Sequence, residues 1–197
     1  MRLLVVHAHP NPASFSAAVC ARFVAGARAG RHEVDVLDLY AEGFDPVMSR
    51  AEHAGYETPV ENQKPVADHI ARLQRAEGLV FVYPTWWYAQ PAMLKGWLDR
   101  VLVPGVAFDM PVPGQAIRPG LTNIRLIGAV STLGSPWWWW RFGVAAPGQR
   151  LLLRGVGAIC AKGARRFWLA LHEMDSVDAA KREAFLARVE AKGRAVA

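Results

Sequence analysis

Three short stretches of this chain carry residues whose types and spacing could do chemistry. The first is His7-Ala8-His9-Pro10-Asn11-Pro12-Ala13-Ser14-Phe15-Ser16. It holds neither G-x-G-x-x-G nor G-x-x-x-x-G-K-[ST], so neither the dinucleotide fingerprint nor the P-loop is present. It does hold two hydroxyls, Ser14 and Ser16, where a helix begins. Open N–H groups beside serine hydroxyls make a phosphate cradle, and the same geometry makes Ser14 a plain N-cap. His7 and His9 share a face if the strand persists, and such a pair could begin a metal site. No third ligand lies at a recognisable spacing, so the expectation is no metal, with a histidine standing beside a ligand.

The second stretch is Tyr83-Pro84-Thr85-Trp86-Trp87-Tyr88-Ala89-Gln90-Pro91. Loops are normally polar, and three aromatic side chains in a row at a strand end are unusual. Flat aromatic walls with a few backbone donors suit a flat heteroaromatic ligand; the plainer alternative is a core cap or a subunit contact. The third stretch is Ser131-Thr132-Leu133-Gly134, followed by Trp137 to Trp140. Four successive tryptophans cannot share one helical face, because neighbours differ by about 100°. No residue in these stretches is assigned as a catalytic acid or base.

The elements that must position these stretches alternate regularly. Arg2 to Ala8 is a continuous apolar strand of the kind covered on both faces. A helix starting near Ser14 or Phe15 carries Phe15, Val19 and Phe23 on one stripe and ends near Gly30. Glu33 to Leu39 reads as a second strand. Asn62 is placed to cap a helix with Val66, Ile70 and Leu73 on one face. Gly78 to Tyr83 is another buried strand. Pro91 suits a helix start, with Leu94, Trp97, Leu98 and Val101 facing inward. The loop 103–123, rich in Pro and Gly (Pro104, Pro111, Pro113 and Pro119 among them), reads as a lid, a binding loop or an interface arm. Ile124 to Ser131 is the fourth strand. A helix near 148–159, a strand over Arg165 to Leu171 and a last helix from about Ser176, with Phe185, Leu186 and Val189 inward, complete the chain. This alternation predicts an α/β fold: five parallel strands with helices on both faces, in one domain over 1–197. In such sheets ligands sit outside the carboxyl ends of the strands, where all three stretches fall.

Composition narrows the class. Apolar residues make up 52% and charged residues 20% of the 197, enough for a buried core. No stretch approaches eighteen apolar residues, so no membrane span is expected. The first residues lack a signal-peptide pattern, and Cys20 and Cys160 make no disulfide framework; a cytoplasmic setting is expected. The net charge is +6, yet residues 1–140 hold 12 basic and 12 acidic side chains while 141–197 hold 11 and 5. The excess is therefore local. Arg141, Arg150, Arg154, Lys162, Arg165, Arg166 and Lys181 could meet a phosphate or an acidic partner, or could form a solvated face.

The segment Pro84-Thr85-Trp86-Trp87-Tyr88-Ala89-Gln90-Pro91-Ala92-Met93-Leu94-Lys95-Gly96-Trp97-Leu98-Asp99-Arg100-Val101 resembles the hallmark of the NAD(P)H:quinone oxidoreductases of flavodoxin-like fold, in their short bacterial form. Ala8-His9 with Ser14-Phe15-Ser16 resembles that family's flavin-phosphate loop. Asp38-Leu39-Tyr40, Phe44-Asp45-Pro46, Gly105 to Phe108 and Ser131 to Gly134 follow in the family's order. The resemblance implies that FAD or FMN is held by His9, Ser14, Phe15 and Ser16 at its ribityl and phosphate groups. Pro84, Thr85, Trp86, Trp87 and Tyr88 would run along its ring, with Ser131, Thr132, Leu133 and Gly134 meeting the ring from the fourth strand. It implies two-electron transfer from NADH or NADPH to a quinone, azo or nitro compound by a ping-pong mechanism, in a homodimer with Trp137–Trp140 near the pocket mouth. Mammalian members carry a Tyr and a His after the fourth-strand loop. Here that region runs from Ser135 to Ala145; Trp139 stands near the Tyr position, and no His follows.

Two other roles exist among similar proteins. One is a flavodoxin-type electron carrier; these tend to be acidic, unlike this chain. The other is an ancillary regulatory subunit of a potassium efflux system, which the basic last third could dock. Nucleic-acid binding has no motif to support it.

Overall fold

The computed structural model describes residues 1–110, 114 and 116–196. Its centre is a five-stranded parallel sheet in the order β2-β1-β3-β6-β7. The strands are β1 (Arg2–His7), β2 (Glu33–Asp38), β3 (Gly78–Pro84), β6 (Leu126–Thr132) and β7 (Arg165–Leu171). Two short strands, β4 (Phe108–Asp109) and β5 (Arg118–Pro119), pair antiparallel within the 103–123 loop. The helices are α1 (Phe15–Ala29), α2 (Arg50–Ala54), α3 (Ala67–Arg75), α4 (Ala92–Val101), α5 (Pro147–Arg150) and α6 (Ala179–Arg194).

Strands β1, β3 and β6 are apolar at nearly every position because both their faces are covered. On one face Leu3, Val5, Val80, Val82 and Val130 pack under α1 and α6, against Phe23, Phe185 and Val189. On the other, Leu4, Val6, Phe81, Tyr83 and Ile127 meet α3, α4 and the 147–156 helical segment, through Leu73, Trp97 and Leu152. The stripe expected on α4 is realised: Leu94, Trp97, Leu98 and Val101 are all buried. From β1 the chain steps out to β2, then returns past β1 to β3. The order reverses between β1 and β3, and that gap is the switch point of this topology.

Several expectations need adjustment. Asn62 caps no helix. It lies inside a 3₁₀ turn over Glu61–Val66, and its buried amide donates to the carbonyls of Tyr56 (2.8 Å) and Pro104 (3.0 Å). Its partners lie 6 and 42 residues away, beyond the reach of any local capping rule. The 103–123 loop is held at both ends: Val103, Val106, Ala107 and Leu121 are core residues, and Leu121 N–H donates to Ile159 at 3.0 Å. Pro111 and Pro113 lie outside the described residues. The helix expected near 148–159 is a short α-turn continued by a π-helical turn, Leu151–Val156. The last helix begins at Ala179, capped by Asp178, rather than near Ser176.

Helices α1 and α6 cross closely because glycines sit at the contact. A Cβ on Gly26 would lie 2.0 Å from the Glu190 carbonyl oxygen, and one on Gly193 would lie 2.4 Å from that of Phe23. These neighbours are backbone, so relief requires one helix to move. Gly26→Ala is expected to destabilise the protein by about 2 kcal/mol despite alanine's better helix propensity, lowering Tm by roughly 4–8 °C. Gly155→Ala, with open space at its Cβ, should leave Tm unchanged or raise it. Calorimetry of the two variants makes the comparison.

Candidate functional site

The carboxyl ends of β1, β3 and β6 bring all three stretches to one edge of the sheet. After β1, Ala8 N–H donates to Val82 at 3.1 Å, tying the first loop to β3. His9 then turns back on its own loop, where Asn11 N–H donates to its Nδ1 at 3.0 Å. The Asn11 carbonyl lies 3.1 Å from the same nitrogen. The His9 ring stands 6.4 Å from that of Trp86, so the first two stretches meet. Ser14 is the N-cap of α1, with Oγ accepting from Ala17 N–H at 3.1 Å. Its own hydroxyl proton and the N–H groups of Phe15 and Ser16 remain available to an anion. Ser16 is buried. The Phe15 ring packs toward Phe185 of α6, so Phe15 offers the site its backbone rather than its ring.

His7 and His9 do not act as a pair. His7 is buried, and its Nδ1 bonds Asp38 Oδ2 at 3.1 Å. Burial opposes ionisation of Asp38, but hydrogen bonds from Ala41 N–H, His7 and Tyr40 N–H outweigh it and hold that carboxyl below the usual range. Among the described residues no three His, Cys, Asp or Glu side chains converge as metal ligands. Burial pushes the Cys20 thiol up to about 12 and the Cys160 thiol up to about 11, so neither supplies a thiolate near neutrality.

The second and third stretches are locked together at their roots. Ser131, 1% exposed, donates its hydroxyl proton to the Tyr83 carbonyl (2.8 Å) and accepts from Thr85 Oγ1 (2.7 Å). Thr85 N–H donates to Thr132 at 2.8 Å, extending the β3–β6 ladder past Pro84. The Ser131 hydroxyl is thus spent on aligning two strand ends. Beyond this root the chain makes a two-residue hairpin: Trp86 and Ala89 exchange backbone hydrogen bonds at 3.2 and 3.0 Å. The residues at its tip, Trp87 and Tyr88, have φ of 48° and 62°. That sign pattern belongs to a type I′ turn, which favours Asn-Gly; two bulky aromatics hold it under strain.

The tip is held from the far side. Trp139 Nε1 donates to the Tyr88 hydroxyl at 3.1 Å, and Gly148 N–H donates to the Tyr88 carbonyl at 3.1 Å. Gln90, which is buried, donates to both the Tyr83 hydroxyl and the Gly148 carbonyl. Trp139 opens a π-helical turn, Trp139–Gly143. The tryptophan run divides as helical geometry requires. Trp140 is buried and stacked on Trp168 at 5.5 Å, while Trp137, Trp138 and Trp139 remain exposed.

Between these walls lies a cavity of about 210 Å³ lined by Thr85, Trp87, Tyr88, Leu133, Gly134 and Ser135. Two of its neighbours escape a sequence reading. Ser135 itself lines the space. His172, just past β7, brings its Nδ1 to 3.3 Å from the Ser135 carbonyl and its ring to 5.3 Å from Trp140. Burial holds His172 below its ordinary range. The one signal for it is position, since it follows a strand at the carboxyl edge.

Residues 1–138 match the family described as flavodoxin-like fold, and the chain belongs to that family. It is 35% identical over 128 residues to a ribosyldihydronicotinamide dehydrogenase (quinone) of Pongo abelii, covering 56% of this chain and 54% of that protein. The chain spans about half the length of the curated relatives it matches. Among solved structures it resembles the NAD(P)H:quinone oxidoreductase from Methanothermobacter marburgensis, with TM-score 0.86 and 27% identity, covering 100% of this chain and 99% of that one. A Bacillus anthracis FMN-dependent NADH-azoreductase, solved with FMN, shares the fold at TM-score 0.75 and 15% identity, over 98% and 97% of the two chains.

Trp87 is 93% exposed, so its side chain contributes little packing while its backbone stays strained. Trp87→Asn should relieve about 1 kcal/mol of that strain and raise Tm by roughly 2–4 °C in a thermal melt. A fall in Tm would mean that the indole, not the turn, holds the tip.

Proposed function

We propose that this protein is a flavin-dependent NAD(P)H:quinone oxidoreductase, with residues 1–197 acting as one flavin-binding domain. The observation that carries the reading is the cavity at the carboxyl edge. Its walls are an aromatic hairpin and a backbone-rich turn, joined by the Trp139–Tyr88 hydrogen bond. The residues present fit a flavin. The first turn of α1 offers unsatisfied N–H groups and the Ser14 and Ser16 hydroxyls to phosphate. His9 stands next to Trp86 between that turn and the ring site. Thr85 to Tyr88 and Thr132 to Gly134 offer flat surfaces and backbone donors.

FAD or FMN would be held by these groups, and when bound it supplies hydride acceptance from NADH or NADPH and hydride delivery to a quinone, azo or nitro compound. The chain's own work is to bind, orient and shield. Ser131 and Thr85 keep the β3 and β6 ends in register. Tyr88, pinned by Trp139, forms one wall of the cavity beside Trp87. Leu133, buried against Trp140, closes the floor. The 135–145 segment offers Trp139 near the position where similar mammalian proteins carry a Tyr, and it holds no His. His172, held toward its neutral form, stands beside the carbonyl of the lining residue Ser135.

A homodimer suits the exposed surface. Trp86, Trp87, Trp137, Trp138, Trp139 and Phe142 are all large, apolar and exposed around the cavity. Patches of this kind mark interaction surfaces. The chain is expected to run as a dimer by light scattering.

Steady-state kinetics test the reading. With NADH or NADPH and a simple benzoquinone, double-reciprocal plots should be parallel, because donor and acceptor use the same site in turn. Intersecting lines would show that both are bound together. An absence of nicotinamide oxidation would favour the electron-carrier or regulatory roles.

A further inference from the structure

The local basic excess resolves into separate places in the fold. Lys162 and Arg165 line one cavity with His32, at the opposite edge of the sheet. Lys181 lies in the first turn of α6. The other four, Arg141, Arg150, Arg154 and Arg166, line a single cavity of about 260 Å³ together with Gln149. They come from three segments: the π-helical turn after the tryptophan run, the 147–156 helical segment and the start of β7.

Among the described residues no carboxylate lines this cavity. Elsewhere arginines find acids: Arg22 meets Glu183 and Glu190, and Arg72 meets Asp35 and Glu42. Among the described residues none of the four cavity arginines makes an ion pair. Arg166 donates to the Gly157 carbonyl at 3.0 Å, and Arg141 lies over the Phe142 ring. Arg150 and Arg154 sit four apart along one helical segment, a spacing at which like charges repel. The wall beside them contains Ala145 and Ala146, both in the left-handed region at φ of 57° and 50° without being glycine. Repulsion and backbone strain are thus concentrated in one concavity, and an anion would offset the repulsion.

We propose that this cavity is a phosphoanion site, taking a phosphate monoester or pyrophosphate group of a small molecule. Guanidinium forks match phosphate oxygens in pairs, and four of them around one space suit two or more negative charges better than a single carboxylate. The segment that carries Arg150 and Arg154 also holds the Tyr88 hairpin through Gly148, so occupancy would be felt at the aromatic wall. The inference stands independently of the flavin reading, since it rests on the arginine cavity alone.

Calorimetric titration of the purified protein with inorganic pyrophosphate at low ionic strength tests it. Saturable 1:1 binding is expected. The Arg150→Gln/Arg154→Gln variant should weaken it roughly tenfold or more, with Lys162→Gln unchanged. Arg141→Gln, a single exposed change, should give a smaller loss and keeps the test intact if the double variant misfolds. Equal, weak binding by the wild type and both arginine variants, or a loss that follows Lys162→Gln, overturns the proposal. Competition distinguishes the sources of such an anion. If 2′,5′-ADP displaces pyrophosphate where 5′-AMP does not, and the double variant raises KM for NADPH but not for NADH, the ligand is the extra phosphate of NADPH. If pyrophosphate binds and that ratio is unmoved, the ligand is a separate phosphorylated molecule. Binding is read without turnover, so loss of the flavin reading would leave this result standing.

Discussion

The central strands have no wet face. Once β1, β3 and β6 are apolar on both sides, helices must cover both, and every connection must leave the sheet at an end. Chemistry can then be placed only at the strand ends, and the reversal of strand order between β1 and β3 opens a gap there. The three stretches that could bind a ligand are separated by tens of residues in sequence. They are neighbours because the parallel sheet permits no other arrangement.

A second layer of constraint turns neighbouring loops into a cavity. Ser131, Thr85 and the Tyr83 carbonyl form a short hydrogen-bonded chain in a nearly water-free place, where an unmade bond is costly. It fixes where the aromatic hairpin leaves β3. The Trp139–Tyr88 and Gly148–Tyr88 bonds then fix where the hairpin ends. A strained turn can persist only when its surroundings over-determine it, and here both ends are held. The same Gly148 segment leads into the arginine cavity, so that cavity and the aromatic hairpin share one supporting segment.

Where local pattern decides, the sequence was enough. The apolar runs of β1 and β3, the inward stripe of α4 and the span of β7 all appear as read, because periodicity and burial determine them. The positions of the three loops followed from topology, and the division of the tryptophan run followed from helical angles. What was hidden depends on distant partners. Asn62 looks like a cap and is instead a buried donor to Pro104. Trp87-Tyr88 is the opposite of an I′ turn signature, and only the surrounding bonds force it. The Ser131 hydroxyl bonds to the Tyr83 carbonyl and to Thr85, partners on another strand end that no local pattern reveals. His172 carries one signal only, its place just past β7. The seven basic residues read as one group divide between two cavities and a helix terminus, which no spacing rule could separate.

The carboxyl edge of this sheet is the proposed flavin site. The visible absorption spectrum of gently purified protein, followed by mass analysis of the released cofactor, tests it most directly. The expected result is the bands of an oxidised flavin and the mass of FMN or FAD. A colourless protein that takes up neither FMN nor FAD on reconstitution would contradict it.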